Sequence, residues 1–153
     1  MPGQGNRYRT LTPALTVRDG NKMIEFYRRA FGAELSGDVA RMPDGRVMHA
    51  EMKIGDSIFM LGEEFPDWGV VAPVSLGDKN SSSLHIYADD ADATFAKAVA
   101  AGAKVVTPMS DAFWGDRYGV VTDPSGHRWG IATHVRDVPD EEMKEAVQKM
   151  TPA

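Results

Sequence analysis

Residues 19–33 read DGNKMIEFYRRAFGA, and residues 89–103 read DDADATFAKAVAAGA. Each stretch opens on an aspartate and reaches Gly-Ala thirteen residues later, at Gly32-Ala33 and Gly102-Ala103. In the first, Met23, Ile24, Phe26, Tyr27, Ala30 and Phe31 recur at helical spacing and fall on one face. Asp19 suits the N-cap, where a carboxylate accepts from the free N–H groups of the first turn. Gly32 suits the position past the last turn, which favours a left-handed residue. In the second stretch Asp89 or Asp90 takes the capping role, Phe95 and Val99 mark the apolar side, and Gly102 ends the helix. A helix repeated with its caps in one short chain predicts a duplicated supersecondary unit.

Working outward, each helix has a strand-like run before it and further runs after it. Leu11–Val17 precedes the first helix. Glu34–Met42 and Arg46–Lys53 flank Asp44-Gly45, a hairpin signal, and Ser57–Leu61 follows a second tight turn at Gly55-Asp56. The second unit offers Ser83–Ala88, Lys104–Thr107, Arg117–Thr122 and His127–Thr133. The last two flank Asp123-Pro124-Ser125-Gly126, a turn with proline second and glycine last. The pattern is α+β, two βαβββ modules in a single domain spanning 1–153. Module one covers about 8–62, a linker about 63–80 and module two about 81–135. A terminal helix over about 138–150 carries Met143, Val147 and Met150, and it is expected to pack on the body or on a partner. The linker is long for a compact domain and is a candidate cover for a site.

Composition narrows the function classes. The chain of 153 residues is 42% apolar and 25% charged, ordinary for one globular domain. Its net charge of −5, without a basic stripe, argues against nucleic acid. No apolar run approaches the roughly 18 residues of a membrane span. The polar first ten residues lack the apolar core of a signal peptide, so a cytoplasmic location is expected. Cysteine is absent, which removes disulfides, thiolate nucleophiles and thiolate metal sites.

Strand registers locate the candidate site. A two-residue turn at Gly55-Asp56 places Glu51 opposite Met60 and His49 opposite Gly62. A two-residue turn at Asp44-Gly45 places Asp38 opposite Glu51 and Ala40 opposite His49. Paired residues share a face. One face then carries Asp38, His49, Glu51, Ile58 and Met60, and is expected to line a cleft. The other carries Met48, Ala50, Met52, Ile54, Phe59 and Leu61, and is expected to lie under the helices. In module two Ser83, His85 and Tyr87 share a face, with Leu84 and Ile86 behind them.

These phrases resemble a known family. The runs TPALTVRDGNKMIEFYRRAFGAEL, HAEMKIGDSIFMLGEE, FWGDRYGVVTDPSGHRWGIATH and DVPDEEM resemble the vicinal oxygen chelate superfamily, which includes glyoxalase I, extradiol dioxygenases and bleomycin-resistance proteins, and within it the PhnB-like branch. The resemblance implies four strands per module curled into a U-shaped mixed sheet, a half-barrel cleft with the helices outside, and a homodimer. In the metal-dependent members His and Glu from the first and last strands of each module hold a divalent ion. Carried over one by one, those positions fall on Thr12, near Met60, on Ser83 and on Gly130. None of the four side chains is a good ligand for such an ion.

The expected function is therefore a small-molecule binding protein of the glyoxalase/bleomycin-resistance type, metal-free and without cofactor, that binds or sequesters an apolar or aromatic ligand. The candidate ligand-binding residues are His49, Glu51, His85, Trp114, Arg117 and Tyr118. The competing expectation is an enzyme. It is either a metal-dependent lyase or dioxygenase with a displaced His49, Glu51 and His85 site, or a metal-free isomerase using one of them as base. Each residue also has a plainer reading. His49 and His85 can be hydrogen-bonded histidines in a polar cleft. Glu51 and Asp38 can be a solvated face near Arg41 and Lys53. Arg117 can pair with Asp116 or Asp111 while Trp114 and Tyr118 fill a dimer seam. His127 reads as an exposed turn residue, and His134 as surface or interface.

Overall fold

The structure, a computed structural model, describes residues 8–150. The first module opens with β1 (Ala14–Val17) and α1 (Gly20–Phe31). Asp19 caps α1 from a left-handed conformation (φ 58°), its carboxylate accepting from the Lys22 N–H at 3.2 Å. The face carrying Met23, Ile24, Phe26, Tyr27 and Ala30 is buried, as its spacing predicts. Gly20 allows close packing at the helix start, since a Cβ there would lie 2.5 Å from Val47 Cβ. Past Gly32 come β2 (Glu34–Leu35), β3 (Ala40–Arg41), β4 (Val47–Ile54) and β5 (Ser57–Glu63). The linker holds two 3₁₀ turns, Pro66–Trp68 and Pro73–Leu76. The second module is β6 (Leu84–Tyr87), α2 (Ala91–Ala101), β7 (Lys104–Asp111), β8 (Asp116–Thr122) and β9 (Arg128–His134), followed by α3 (Asp140–Gln148). Asp90, rather than Asp89, caps α2, accepting from the Ala93 N–H at 3.0 Å.

The two modules have one topology. The first sheet runs β1-β5-β4-β2, with β3 also on β4, and the second runs β6-β9-β8-β7. In each, the first strand lies parallel to the last: Ala14 opposite Met60 in one, Leu84 opposite Trp129 in the other. The fold is α+β, and neither sheet closes into a barrel. α1 packs on β4 and β5, α2 packs on β7, β8 and β9, and the two helices pack on each other.

A shared core joins the modules. Tyr27 and Phe31 of α1 meet Trp129 of β9 at 5.6 and 4.8 Å between ring centroids, and Phe59 of β5 lies 6.1 Å from the same indole. Asp123 ties the junction. Its buried carboxylate accepts from the Tyr27 hydroxyl at 2.7 Å, the Trp129 indole N–H at 2.9 Å, and the N–H groups of Ser125 and His127 at 2.9 and 3.0 Å. Burying an acceptor-only group is tolerable because donors surround it. His127 is half-buried rather than an exposed turn residue, and its Nε2 lies 2.7 Å from the Thr16 carbonyl oxygen of module one.

Two local expectations fail at the β3–β4 hairpin. The loop is a turn over Met42-Pro43-Asp44-Gly45, closed by the Gly45 N–H on the Met42 carbonyl, not a two-residue turn. Ala40 does face His49, but Arg41 then faces Val47, so Met48 is an extra, bulged residue. The bulge turns Val47 inward to full burial and leaves Met48 52% exposed, not under the helices. Further along, Leu35 faces Met52 and the Ser36 N–H donates to the Glu51 carbonyl oxygen at 2.8 Å. Asp38 is consequently displaced out of the strand into an exposed bend and is not opposite Glu51. At the Gly55-Asp56 turn the expected register holds, with Glu51 opposite Met60 and Phe59 opposite Met52.

No helix among the described residues is long and apolar enough to cross a membrane. α3 is amphipathic but has no buried residue, and Val147 and Met150 stay exposed.

Candidate ligand-binding site

The edge strands of the two sheets, β1 and β6, flank a cleft of about 770 Å³. Its walls are mainly apolar: Leu15 from β1, Ile58 and Phe59 from β5, Leu84 and Ile86 from β6, and Trp129 from β9. Clefts of this size and lining are usual for small-molecule sites. His85 and Tyr87 also line it, from the alternate face of β6.

The β6 alternation follows the expected pattern, with Leu84 and Ile86 half-buried and His85 and Tyr87 exposed. His85 sits opposite Gly130, and its ring covers that glycine. A Cβ at Gly130 would lie 2.7 Å from His85 Nδ1 and 3.2 Å from Tyr118 Cε2. The imidazole stacks on Tyr118 with centroids 5.6 Å apart and an interplanar angle of 10°, and it lies 4.8 Å from the Tyr87 ring. Trp114 meets the edge of Tyr118 at 5.1 Å. His85, Tyr118 and Trp114 are thus brought together as an aromatic platform.

Beneath this platform lies a carboxylate that sequence reasoning missed as a site residue. Asp116, only 3% exposed, accepts from the Trp114 indole N–H at 2.9 Å and from the Tyr87 hydroxyl at 3.4 Å. His134 Nδ1 lies 2.9 Å from its other oxygen, and His134 Nε2 lies 2.8 Å from Asp137. Burial alone would raise the Asp116 pKa, but hydrogen bonds from His134 and Trp114 outweigh it and hold the carboxyl below its usual range. The same contact with Asp116, followed by that with Asp137, raises the His134 imidazole above its ordinary value. The legible signal was alternation: Asp116 and Tyr118 share a face of β8.

Arg117 is on the opposite face of β8. Its guanidinium forks onto Asp92 of α2, with Nε and Nη2 each 3.1 Å from a carboxylate oxygen, and Nη1 lies 3.4 Å from Asp111. The structure therefore separates Arg117 from the aromatic platform. His49 and Glu51 form a pair of their own on β4, with Nε2 3.3 Å from Oε1, and the Tyr8 hydroxyl also donates to Glu51. Glu51 is buried and His49 is half-exposed.

Comparison with known proteins places the chain. Residues 9–131 match the Glyoxalase/Bleomycin resistance protein/Dioxygenase superfamily. The chain belongs to this superfamily. The relative Mb0911c of Mycobacterium bovis is 41% identical over 140 residues, covering 90% of this chain and 91% of its own length. The solved structure of TioX from Micromonospora sp. ML1 is 26% identical and covers 86% of this chain and all of its own, with a TM-score of 0.61. The PhnB protein from Bacillus cereus shares the fold at 18% identity and the same TM-score, covering 82% of this chain and 99% of its own.

Metal-dependent members of the superfamily hold a divalent ion in the cleft, and the corresponding residues here do not fit one. The Thr12 hydroxyl is turned to the Arg9 carbonyl oxygen at 2.8 Å. Met60 and Ser83 offer a thioether and a hydroxyl, poor donors for such an ion. At Gly130 the space for a ligating side chain is filled by the His85 ring. Among the described residues no group of three or more His, Cys, Asp or Glu is placed to hold a metal ion.

Proposed function

We propose that the chain is a small-molecule binding protein of the glyoxalase/bleomycin-resistance type that binds or sequesters an apolar or aromatic ligand without a metal. One observation carries this reading: the apolar cleft of about 770 Å³ between the two modules, open to the His85 and Tyr87 rings. Burying a flat apolar ligand there removes its surface from water at about 25 cal/mol per Å². Edge or stacked contact with the rings adds to that. His85, Tyr118 and Trp114 are the proposed ligand-contacting residues. Exposed Val147 of α3 and Met150 just past its end support a homodimer, and the cytoplasm is the proposed compartment.

Thermal-shift measurement against uncharged naphthalene and biphenyl derivatives tests this. A binder present at about 100 times its Kd stabilises the fold by about 2.7 kcal/mol. Filling the cleft with Ala14→Trp should abolish that shift. Stoichiometric metal in protein purified without chelator, or no shift with any apolar compound, would overturn the proposal.

A second reading rests on the His49–Glu51 pair. An imidazole held by a buried carboxylate is a suitable general base, which keeps a metal-free isomerase in view. Turnover of a carbonyl substrate that disappears in His49→Gln would favour it over sequestration.

A further inference from the structure

Beside the apolar cleft, and meeting it at Ser82 and Ser83, lies a smaller recess of about 250 Å³ on the free face of the second sheet. Polar residues line most of it: Asn80, Ser81, Ser82, Ser83, Tyr118 and Arg128. No aspartate or glutamate lines it. Arg128 is exposed and makes no ion pair among the described residues; Arg9, Arg28, Arg29 and Arg41 make none either, but of these arginines only Arg128 lines the recess. In a chain of net charge −5, an unpaired arginine beside serine and tyrosine residues suits a negative group.

We propose that the ligand of this protein is amphipathic: an aromatic or apolar body seated in the larger cleft and a single carboxylate held by Arg128 in the adjoining recess. The planar fork of arginine matches a carboxylate with two parallel hydrogen bonds. One guanidinium balances one charge, so a carboxylate fits better than a phosphate monoester dianion. The serine and Tyr118 hydroxyls supply the remaining donors. The two regions share Ser82 and Ser83, so the two ends of the ligand would meet there, beside Tyr118, which lines the recess and stacks on the His85 ring of the cleft. The inference rests on the cleft-binding reading above, because the cleft takes the apolar body.

The test uses calorimetric titration of the whole protein with 2-naphthoate and its uncharged isostere 2-naphthamide. The expected result is that naphthoate binds more tightly than the amide by about tenfold or more, with the difference shrinking as salt rises. Arg128→Gln should bring the two to equal affinity, and Arg128→Lys should keep part of the preference. Arg9→Gln, at the larger cleft, should leave it intact. Equal affinity of acid and amide for the unmodified protein would overturn the carboxylate assignment while leaving cleft binding standing. A preference that survives Arg128→Gln, or falls in Arg9→Gln instead, would overturn the role of Arg128. Failure of both compounds to bind would overturn this inference together with the cleft reading. Arg128 is exposed, and circular dichroism of each variant separates lost binding from lost fold.

Discussion

The Tyr27 hydroxyl in the first module donates to the Asp123 carboxylate in the second at 2.7 Å, fully buried. Asp123 is the acceptor for four donors at once, so removing it orphans groups from both modules. Asp123→Ala is expected to cost about 3–5 kcal/mol of stability, as for loss of a buried charged partner. Tyr27→Phe is expected to cost about 1.5–3 kcal/mol, since three donors remain. Urea unfolding at unchanged m-value measures both. Equal losses in the two variants would contradict the hub.

Burial, then Asp123, pushes the Tyr27 hydroxyl well above the ordinary tyrosine range. A raised folded-state pKa means stability that is complete below the ordinary value and lost as pH rises through the raised one. Alkaline unfolding should therefore be less steep in Tyr27→Phe than in the unmodified protein. Parallel curves would argue against it.

Asp116 and His134 titrate in opposite senses. The lowered Asp116 contributes stability present above the ordinary carboxylate range and lost as pH falls through its depressed pKa. The raised His134 contributes stability present below the ordinary imidazole value and lost as pH rises through its raised pKa. The pair thus contributes most in mildly acidic solution. Proton NMR titration should find the His134 pKa lower in both Asp116→Asn and Asp137→Asn, because hydrogen bonds to Asp116 and then Asp137 raise it. An unmoved His134 would refute the pairing.

Gly130→Ala is expected to push His85 off Tyr118 and to cost about 1–3 kcal/mol, the usual penalty for overpacking. His85→Ala should relieve it, so the double variant is more stable than the sum of the single losses predicts. Strict additivity would mean that His85 is not what excludes a side chain at Gly130.

Arg117→Gln should leave ligand affinity unchanged, because Asp92 and Asp111 hold the guanidinium on the helix side. Tyr118→Ala, one residue away on the other face, should weaken aromatic ligands by about 0.5–1.5 kcal/mol. A loss in Arg117→Gln equal to that in Tyr118→Ala would place the site on the wrong side of β8.

Helix caps and tight turns were readable from sequence because they are local. Asp19, Gly32 and the Gly55-Asp56 turn fix their own surroundings, and the Glu51–Met60 register follows from them. Asp38 was misplaced for an equally local reason. Ala40 still faces His49 past the bulge at Met48, but Ser36 already meets Glu51, so two extra residues between them break the strand and Asp38 leaves the ladder. Arg117 read as a ligand clamp because its partner Asp92 lies on a helix 25 residues earlier, which no spacing rule reports. Asp116 and Arg128 were passed over because strand alternation gives a face but not what stands beside it.

Each sheet completes its ladder inside its own module, whereas the aromatic cluster of Tyr27, Phe31, Phe59 and Trp129 belongs to both. Backbone order is partitioned, but apolar burial is shared. Neither half retains its core once the other opens, so the chain should melt in a single cooperative step. Amide hydrogens at the centres of β5 and β9 should then exchange through the same global opening, with one common free energy.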